Sequence, residues 1–471
     1  MKKRLLALIL MMSLVASTFT MTGCGQVEEG DEIVLRVSNW EEYIDLGDWD
    51  EDEVIDISDD VNILGVNSLV DDFEEWYYET YGQKVRVEYS TFGTNEELYN
   101  QLTIGDVYDL VCPSEYMIMK MLREGMLVPY SDEFKDDSIE TNYYAKGLSP
   151  YINEVFNTLN INGNILADYA SGYMWGTLGL VYNPEEVTAE EADHWDLLTN
   201  PKFEKRVTIK DSVRDAYFAA ISMYYFDDIT DESFINSEDY HDKLSEMLNR
   251  TDAVTVQGVE DVLTECKDNV YAFETDAGKA DMVTGKVVAN EQWSGDAVYT
   301  MDQADEDGIE LCYSAPSEGT NLWFDGWAML KKGIEQDPRK QQVAEAFVNF
   351  VSMPENAVRN MYYIGYTSVI SGGDDSMIFD YMDWNYGVEE DEEGVEYSVG
   401  YFFDMDDPNA DEEYTIVTSE DQLRRQLYAQ YPTKDVVDRS VVMACFEDED
   451  NERINRSWTN VRCFNLDKIF K

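Results

Sequence analysis

The sequence predicts an α/β fold divided into two lobes, and three observations carry that expectation. Short β-branched runs alternate with apolar residues at helical spacing, the pattern of parallel βαβ units. Of the 471 residues, the 448 that follow residue 23 are ample for two separate cores. Residues 175–182 (WGTLGLVY) form an apolar, Gly-punctuated strand suited to passing from one lobe to the other. With 44% hydrophobic and 13% aromatic residues, the chain can fill those cores and is not a disordered acidic polymer.

The elements follow in order. Residues 33–38 (IVLRVS) read as the first strand, and the acid- and Gly-crowded 46–60 as a solvent-facing insertion. Residues 66–81 place apolar side chains at helical spacing and stop at Gly82. Residues 84–89 read as strand. Thr94 caps a helix to about 104, with Glu97 completing a capping box. A strand over 108–112 and a helix over 115–124, stopped by Gly125, complete the first alternating set. A second set begins with strand 207–210 and helix 216–225. Strand 327–330 precedes a helix over 341–350, and 371–413 reads as a long acidic insertion, ordered in part by its aromatics.

The amino terminus fixes an address. Lys2, Lys3 and Arg4 precede an apolar run from Leu5 to Ala16 that is too short to span as a mature helix, the form of a secretory signal. The ending Met21-Thr22-Gly23-Cys24 resembles a bacterial lipobox, which implies cleavage before Cys24 and a diacylglycerol on its thiol. Two acyl chains anchor stably where one is marginal. Cleavage elsewhere, with Cys24 a bystander, is the plainer alternative. No later stretch is long and apolar enough to span a membrane, so lipid is the expected attachment.

After residue 23, 31 basic residues face 98 acidic ones, a net charge near −67. Nucleic acid is excluded as a partner because its phosphates would be repelled. A cationic ligand would be attracted, although salt confines that pull to about 8 Å from the surface. Most of the carboxylates serve solubility. Beyond Cys24 stand Cys112, Cys266, Cys312, Cys445 and Cys463, an odd set without metal-ligand spacing. Buried free thiols fit them better than a Cys445–Cys463 disulfide.

Four segments place aromatic and acidic residues directly after an apolar strand, where open α/β sheets bind ligands. They are Asn39-Trp40-Glu41-Glu42-Tyr43, Cys112-Pro113-Ser114-Glu115-Tyr116, Asp211-Ser212-Val213-Arg214-Asp215, and the stretch holding Trp323, Phe324 and Asp325. Ring faces with carboxylates suit an elongated organic cation: rings cover its methylenes and carboxylates accept from its ammonium ends. Taken singly, each residue has a plainer use. Trp40 or Trp323 alone reads as core or lobe interface, Asp215 and Asp325 alone as caps or surface acids, and Asp215 with Arg214 as a minor surface pair.

The ordered set NWEEYI, YDLVCPSEYMIMKML, YMWGTLGLVYNP, KDSVRD, EQWSGDA, LWFDGWAM and YIGYTS resembles the spermidine/putrescine-binding proteins of bacterial polyamine ABC transporters, from about residue 33 to 370. The resemblance implies a two-lobed, periplasmic-binding-protein-like fold joined by crossing strands and closing on ligand like a hinged clamp. It implies lobes of 32–174 with 323–363 and of 178–320 with 368–471, the latter carrying the acidic insertion. Residues 1–23 would be the signal and 24–31 the lipidated tether. By position it implies an aromatic box of Trp40, Tyr43, Trp293, Trp323 and Tyr366, with Ser114 and Tyr116 in the same cleft. Glu42, Asp215 and Asp325 fall where ligand nitrogens are met. Ser212 stands where a spermidine-binding relative has aspartate, and Glu41 where Thr or Ser is usual, so Glu41 is expected to compensate for Ser212. The C-terminal glutamine of some relatives has no counterpart that the sequence places, because 440–462 aligns poorly.

The implied partners are a polyamine, an ABC permease and the membrane through lipid alone, for a monomer without cofactor or metal. Two other functions fit the residues less well. A carboxylate-pair glycosidase also combines acids with rings, but His194 and His241 lie in no nucleophile–base pattern and no phosphate loop or metal motif appears. A sugar-binding protein would stack rings similarly, yet the cleft segments are expected to hold few cations and show a carboxylate excess without compensating Asn, Gln, Lys or Arg.

Overall fold

The computed structural model describes residues 32–50, 53–58, 61–389, 392–405 and 407–463, so the expected signal, Cys24 and the expected tether lie outside the described residues. The lobe elements are β1 (Ile33–Trp40), α1 (Leu69–Tyr81), β2 (Val85–Phe92), α2 (Asn95–Ile104), β3 (Leu110–Val111), α3 (Glu115–Arg123), β4 (Ala170–Tyr182), β5 (Val207–Lys210), α4 (Val213–Tyr224), α5 (Ala253–Asn269), β6 (Ala272–Glu274), β7 (Ala289–Trp293), α6 (Ser294–Glu306), β8 (Thr320–Leu330), α7 (Lys340–Val351), α8 (Pro354–Ile364) and α9 (Asp448–Arg462).

These strands form one continuous sheet path in the order β6-β5-β7-β4-β8-β3-β1-β2. β1 runs parallel to β2 and β3, and β5 parallel to β6 and β7, so each end is a parallel βαβ half. β4 and β8 join the halves. The first part of β4 pairs antiparallel with β8, while its last residues pair with β7. Both strands are buried along their whole length, as strands covered on both faces must be.

Local chemistry explains the boundaries. Ser68 caps α1 by accepting from the Asp71 N–H, and Gly82 ends it at a φ of 69°, a left-handed conformation that glycine adopts without strain. Thr94 accepts from the Glu97 N–H at 3.1 Å, but the Glu97 carboxylate reaches back to the Gly93 N–H at 3.0 Å, one residue before the expected box. Strand β4 begins at Ala170 and β8 at Thr320, earlier than their apolar runs suggest, because each continues through the junction of the lobes.

Two large cores flank the junction. One gathers β1, β3, α1, α3 and α7 around residues such as Leu35, Phe73, Ile118 and Phe347. The other gathers β5, α4 and α5 around Ile209, Phe218 and Val259. The acidic stretch 46–60 differs from a solvent-facing insertion, whereas 371–413 is ordered by its aromatics, as its composition suggested. Within 46–60, Ile55 is fully buried in the first core, and Trp49 stacks near Tyr363 at 6.5 Å. Within 371–413, Ile378, Tyr381 and Phe402 enter that same core, with Phe402 stacked on Trp175 at 5.5 Å. Where the sequence expectation gives 368–471 to the second lobe, Ile378, Phe402, Leu427 and Val437 pack in the first core, and Val441, Met443, Phe446, Ile454 and Val461 in the second. Acid-rich composition masked which core these anchors join. Cys112, Cys266 and Cys312 are buried free thiols, and Cys445 and Cys463 are also free.

The turn after β1 is pinned by a buried ion pair. Arg359 of α8 donates to Asp45, to Asp72 at 2.6 Å and to the Asn67 carbonyl, while Asn360 accepts from the Asp45 N–H at 2.9 Å. Removing one partner would leave a charge buried without compensation. Arg359→Met is expected to destabilise the folded protein by about 3–5 kcal/mol in urea denaturation. A loss below about 1 kcal/mol would contradict the role given to this pair.

Candidate functional site

Asp325 lies in the middle of β8, at the point where its register with β4 shifts. Asp325 pairs with Met174 and Gly326 with Gly172, so Tyr173 is the extra residue of a β-bulge. Bulges re-aim side chains, and this one serves two. The Tyr173 hydroxyl donates to the Tyr43 carbonyl at 2.8 Å and accepts from the Asn360 amide at 2.7 Å. Tyr43, so held, donates its hydroxyl to Asp325 Oδ2 at 2.8 Å, and Ser114 Oγ donates to Asp325 Oδ1 at 2.8 Å.

Asp325 is only 7% exposed, and among the described residues it forms no ion pair. Burial lifts its carboxyl to about 6 despite the two hydroxyl donors. Rings surround it. Tyr366 meets Tyr43 edge-on at 5.0 Å and Trp323 at 5.7 Å. Trp40 packs against Phe92 at 4.8 Å. Tyr366 rests on the start of α6, where a Cβ on Gly295 would lie 2.3 Å from its ring, so only glycine permits that approach.

The second lobe brings its own carboxylates. Ser212 caps α4 through the Asp215 N–H at 3.4 Å, and the Trp293 indole N–H donates to Asp215 Oδ1 at 3.3 Å. Burial raises the Asp215 carboxyl above its ordinary range. Tyr116 accepts from the Asn95 amide at 2.9 Å, and that amide also reaches Ser114 Oγ at 3.1 Å. Glu41 and Glu42 are exposed on the turn after β1, with Glu42 at a φ of 54°. The fold therefore gathers Trp40, Tyr43, Ser114, Tyr116, Ser212, Asp215, Trp293, Trp323, Asp325 and Tyr366 about the junction, and leaves Glu41 and Glu42 at its exposed edge.

Several participants escaped sequence reasoning. The segment KDSVRD holds two cations. Lys210 is buried with its ammonium 4.1 Å from the Trp293 ring centroid and 3.3 Å from Asp296 Oδ2. Arg214 does not make the expected surface pair with Asp215. Its guanidinium donates to the Ala444 carbonyl at 2.7 Å and lies 4.8 Å from the Tyr116 ring and 4.0 Å from Phe446. The expected lack of cations in these segments is thus corrected. A lysine closing an otherwise apolar strand was the available signal. Asp296 joins both lobes by accepting from Tyr366 at 2.9 Å and Lys279 at 3.2 Å. Burial pushes Asp296 up, but Lys210 and Lys279 outweigh it and hold the carboxyl below its usual range. Glu115 and Glu291 are lifted by burial to about 8, and are therefore mainly neutral at pH 7. His194 is half-buried against Glu318 at 3.1 Å, away from these groups.

Residues 68–378, about two thirds of the chain, match the profile of a family described as bacterial extracellular solute-binding protein. The chain belongs to this family. Among curated relatives of this solute-binding protein, the Salmonella typhimurium spermidine/putrescine-binding periplasmic protein is 27% identical over 285 residues, 60% of this chain and 70% of the relative. The Pseudomonas aeruginosa putrescine-binding periplasmic protein SpuD is 25% identical over 358 residues, 73% and 80% of the two chains. The fold of the Streptococcus pneumoniae spermidine/putrescine ABC transporter substrate-binding protein PotD superposes with a TM-score of 0.58 at 22% identity, covering 91% of this chain and 98% of that one. The solute-binding protein thus has the two-lobed α/β fold, with its cluster of rings and acids where the lobes meet.

Because the Asp325 carboxyl stands higher in the folded protein than its ordinary 3.8, the native state binds a proton more readily than the unfolded chain. Ligand-free stability should fall as pH rises from about 4 to about 6, by this group's contribution. Asp325→Asn is accordingly expected to gain on the order of 1–3 kcal/mol over the wild type at pH 7 and little below pH 4. A variant less stable than the wild type at pH 7 in thermal and urea unfolding would contradict this.

Proposed function

We propose that this protein captures a polyamine, putrescine or spermidine, between its lobes for delivery to an ABC permease, with a lipid on Cys24 holding it at the outer face of the membrane as a monomer. One observation carries the reading: Asp325 is a buried carboxylate that no cation among the described residues meets, preset by two hydroxyl donors and walled by rings. Such a group is costly to keep unless something positive completes it. The spermidine/putrescine-binding and putrescine-binding relatives support the choice of cation.

In this reading Asp325 and Asp215 receive ammonium groups, and Trp40, Tyr43, Trp293, Trp323 and Tyr366 cover the methylenes between them. Ser114 fixes one Asp325 oxygen, Tyr116 lines the first-lobe side, and Ser212 orients the helix that carries Asp215. Glu41 and Glu42, exposed at the edge, draw the cation inward. The lobes part about β4 and β8, the ligand enters, and closure restores the ring contacts around it. No bond is made or broken. A neutral sugar is the weaker alternative, because it would leave Asp325 buried and uncompensated.

Isothermal titration of residues 25–471 should show binding of putrescine or spermidine and none of maltose. Removing one partner of a buried charge pair costs about 2–5 kcal/mol, so Asp325→Asn should weaken polyamine binding thirtyfold or more. Wild-type affinity in that variant would defeat the assignment. Ligand binding requires the ionised carboxylate, so affinity should fall as pH drops through about 6, approaching tenfold per unit. Affinity constant between pH 5 and 7 would speak against Asp325 as the receiving group.

A further inference from the structure

Lys210 is the last residue of β5, and its side chain is 1% exposed. Its ammonium donates to the Thr275 carbonyl at 2.7 Å, lies 3.3 Å from Asp296 Oδ2, and stands 4.1 Å from the centroid of Trp293. A ring face, a carboxylate and a carbonyl oxygen are what a desolvated ligand ammonium requires. Here the protein supplies the ammonium itself. The same Trp293 donates its indole N–H to Asp215, so this filled station adjoins a carboxylate assigned to the ligand. Asp296 is already met by two protein cations, since Lys279 binds it at 3.2 Å beside Lys210, and the Tyr366 hydroxyl donates to it at 2.9 Å. Asp325 offers the contrast: similar burial and adjoining rings, with no cation among the described residues.

We propose that Lys210 is a specificity-determining residue, an internal ammonium that fills the second-lobe end of the cleft and limits the ligand to two ammonium groups. The inference rests on the polyamine reading and sharpens it. A diamine places one end at Asp325 and the other at Asp215. A triamine brings a third charge toward Lys210, where like-charge repulsion and the occupied ring face reject it. Shortening Lys210 vacates the station and leaves Asp296 able to receive that third charge.

The test is titration of putrescine and spermidine into the wild type, Lys210→Ala, Lys210→Ser and Lys279→Ala, with circular dichroism melts to confirm folding. The wild type should bind putrescine at least tenfold more tightly than spermidine, a result available even if the Lys210 variants do not fold. In the folded Lys210 variants the spermidine-to-putrescine affinity ratio should rise at least tenfold. Lys279→Ala, which removes a charge beside Asp296 without vacating the Trp293 face, should shift that ratio less than threefold. A wild type favouring spermidine, an unmoved ratio in the Lys210 variants, or an equal shift with Lys279→Ala overturns the inference while leaving polyamine capture intact. Binding of neither polyamine by the wild type overturns both.

Discussion

The arrangement depends on a carboxylate, Asp325, that the fold buries and that no cation among the described residues meets. An isolated buried anion is among the least favourable things a protein can hold, and ordinarily it would protonate or be drawn out to water. Here it sits on β8, between Met174 of β4 and the bridge to Ser114. The bulge at Tyr173 orients Tyr43, Tyr43 and Ser114 bind the two oxygens, and the Arg359–Asp45 pair with Asn360 braces the turn that carries Tyr43. The support reaches through three layers of side chains, and each layer is itself hydrogen-bonded. Two hydroxyl donors lower the cost of ionisation without cancelling it, so a cation gains from meeting this group.

The second lobe handles its charges differently. Glu291 is driven toward its neutral form by burial, and Asp296 is neutralised by Lys210 and Lys279. The large surface excess of acids says little about recognition, because solvent and salt screen it. What distinguishes the cleft is which buried carboxylates are already satisfied. Two carboxylates on the same interface, Asp296 and Asp325, are each buried near rings, yet Lys210 and Lys279 meet the first and no cation among the described residues meets the second.

Much of the fold was legible in the sequence because its periodicities are strong. The β1–α1 and β5–α4 units, the caps at Thr94 and Gly82, and the crossing strand at β4 follow from local residues. The acidic stretch 46–60 misled, because Ile55 is a single apolar anchor among many solvated acids, while the aromatics Tyr381 and Phe402 announced order in 371–413 but not which core they join. The gathering of Trp40, Tyr43, Ser114, Trp293, Trp323 and Asp325 was legible through the ordered resemblance, since each is uninformative alone. Lys210 and Arg214 were not. A cation adjacent to an acid in sequence invites a surface pair, whereas their partners, Thr275, Asp296, Ala444 and Phe446, come from segments 65 to 232 residues away. Likewise nothing local marks Tyr173 as the residue a bulge sets aside.

The central claim is that the Asp325 carboxylate receives the ligand's positive charge, and carbon-13 NMR of that carboxyl reads it directly. In the ligand-free protein it should titrate near 6. With saturating putrescine its midpoint should drop below about 4, the range of a carboxylate next to a cation. A midpoint that does not move when putrescine binds would show the charge to be met elsewhere, and the account would fail.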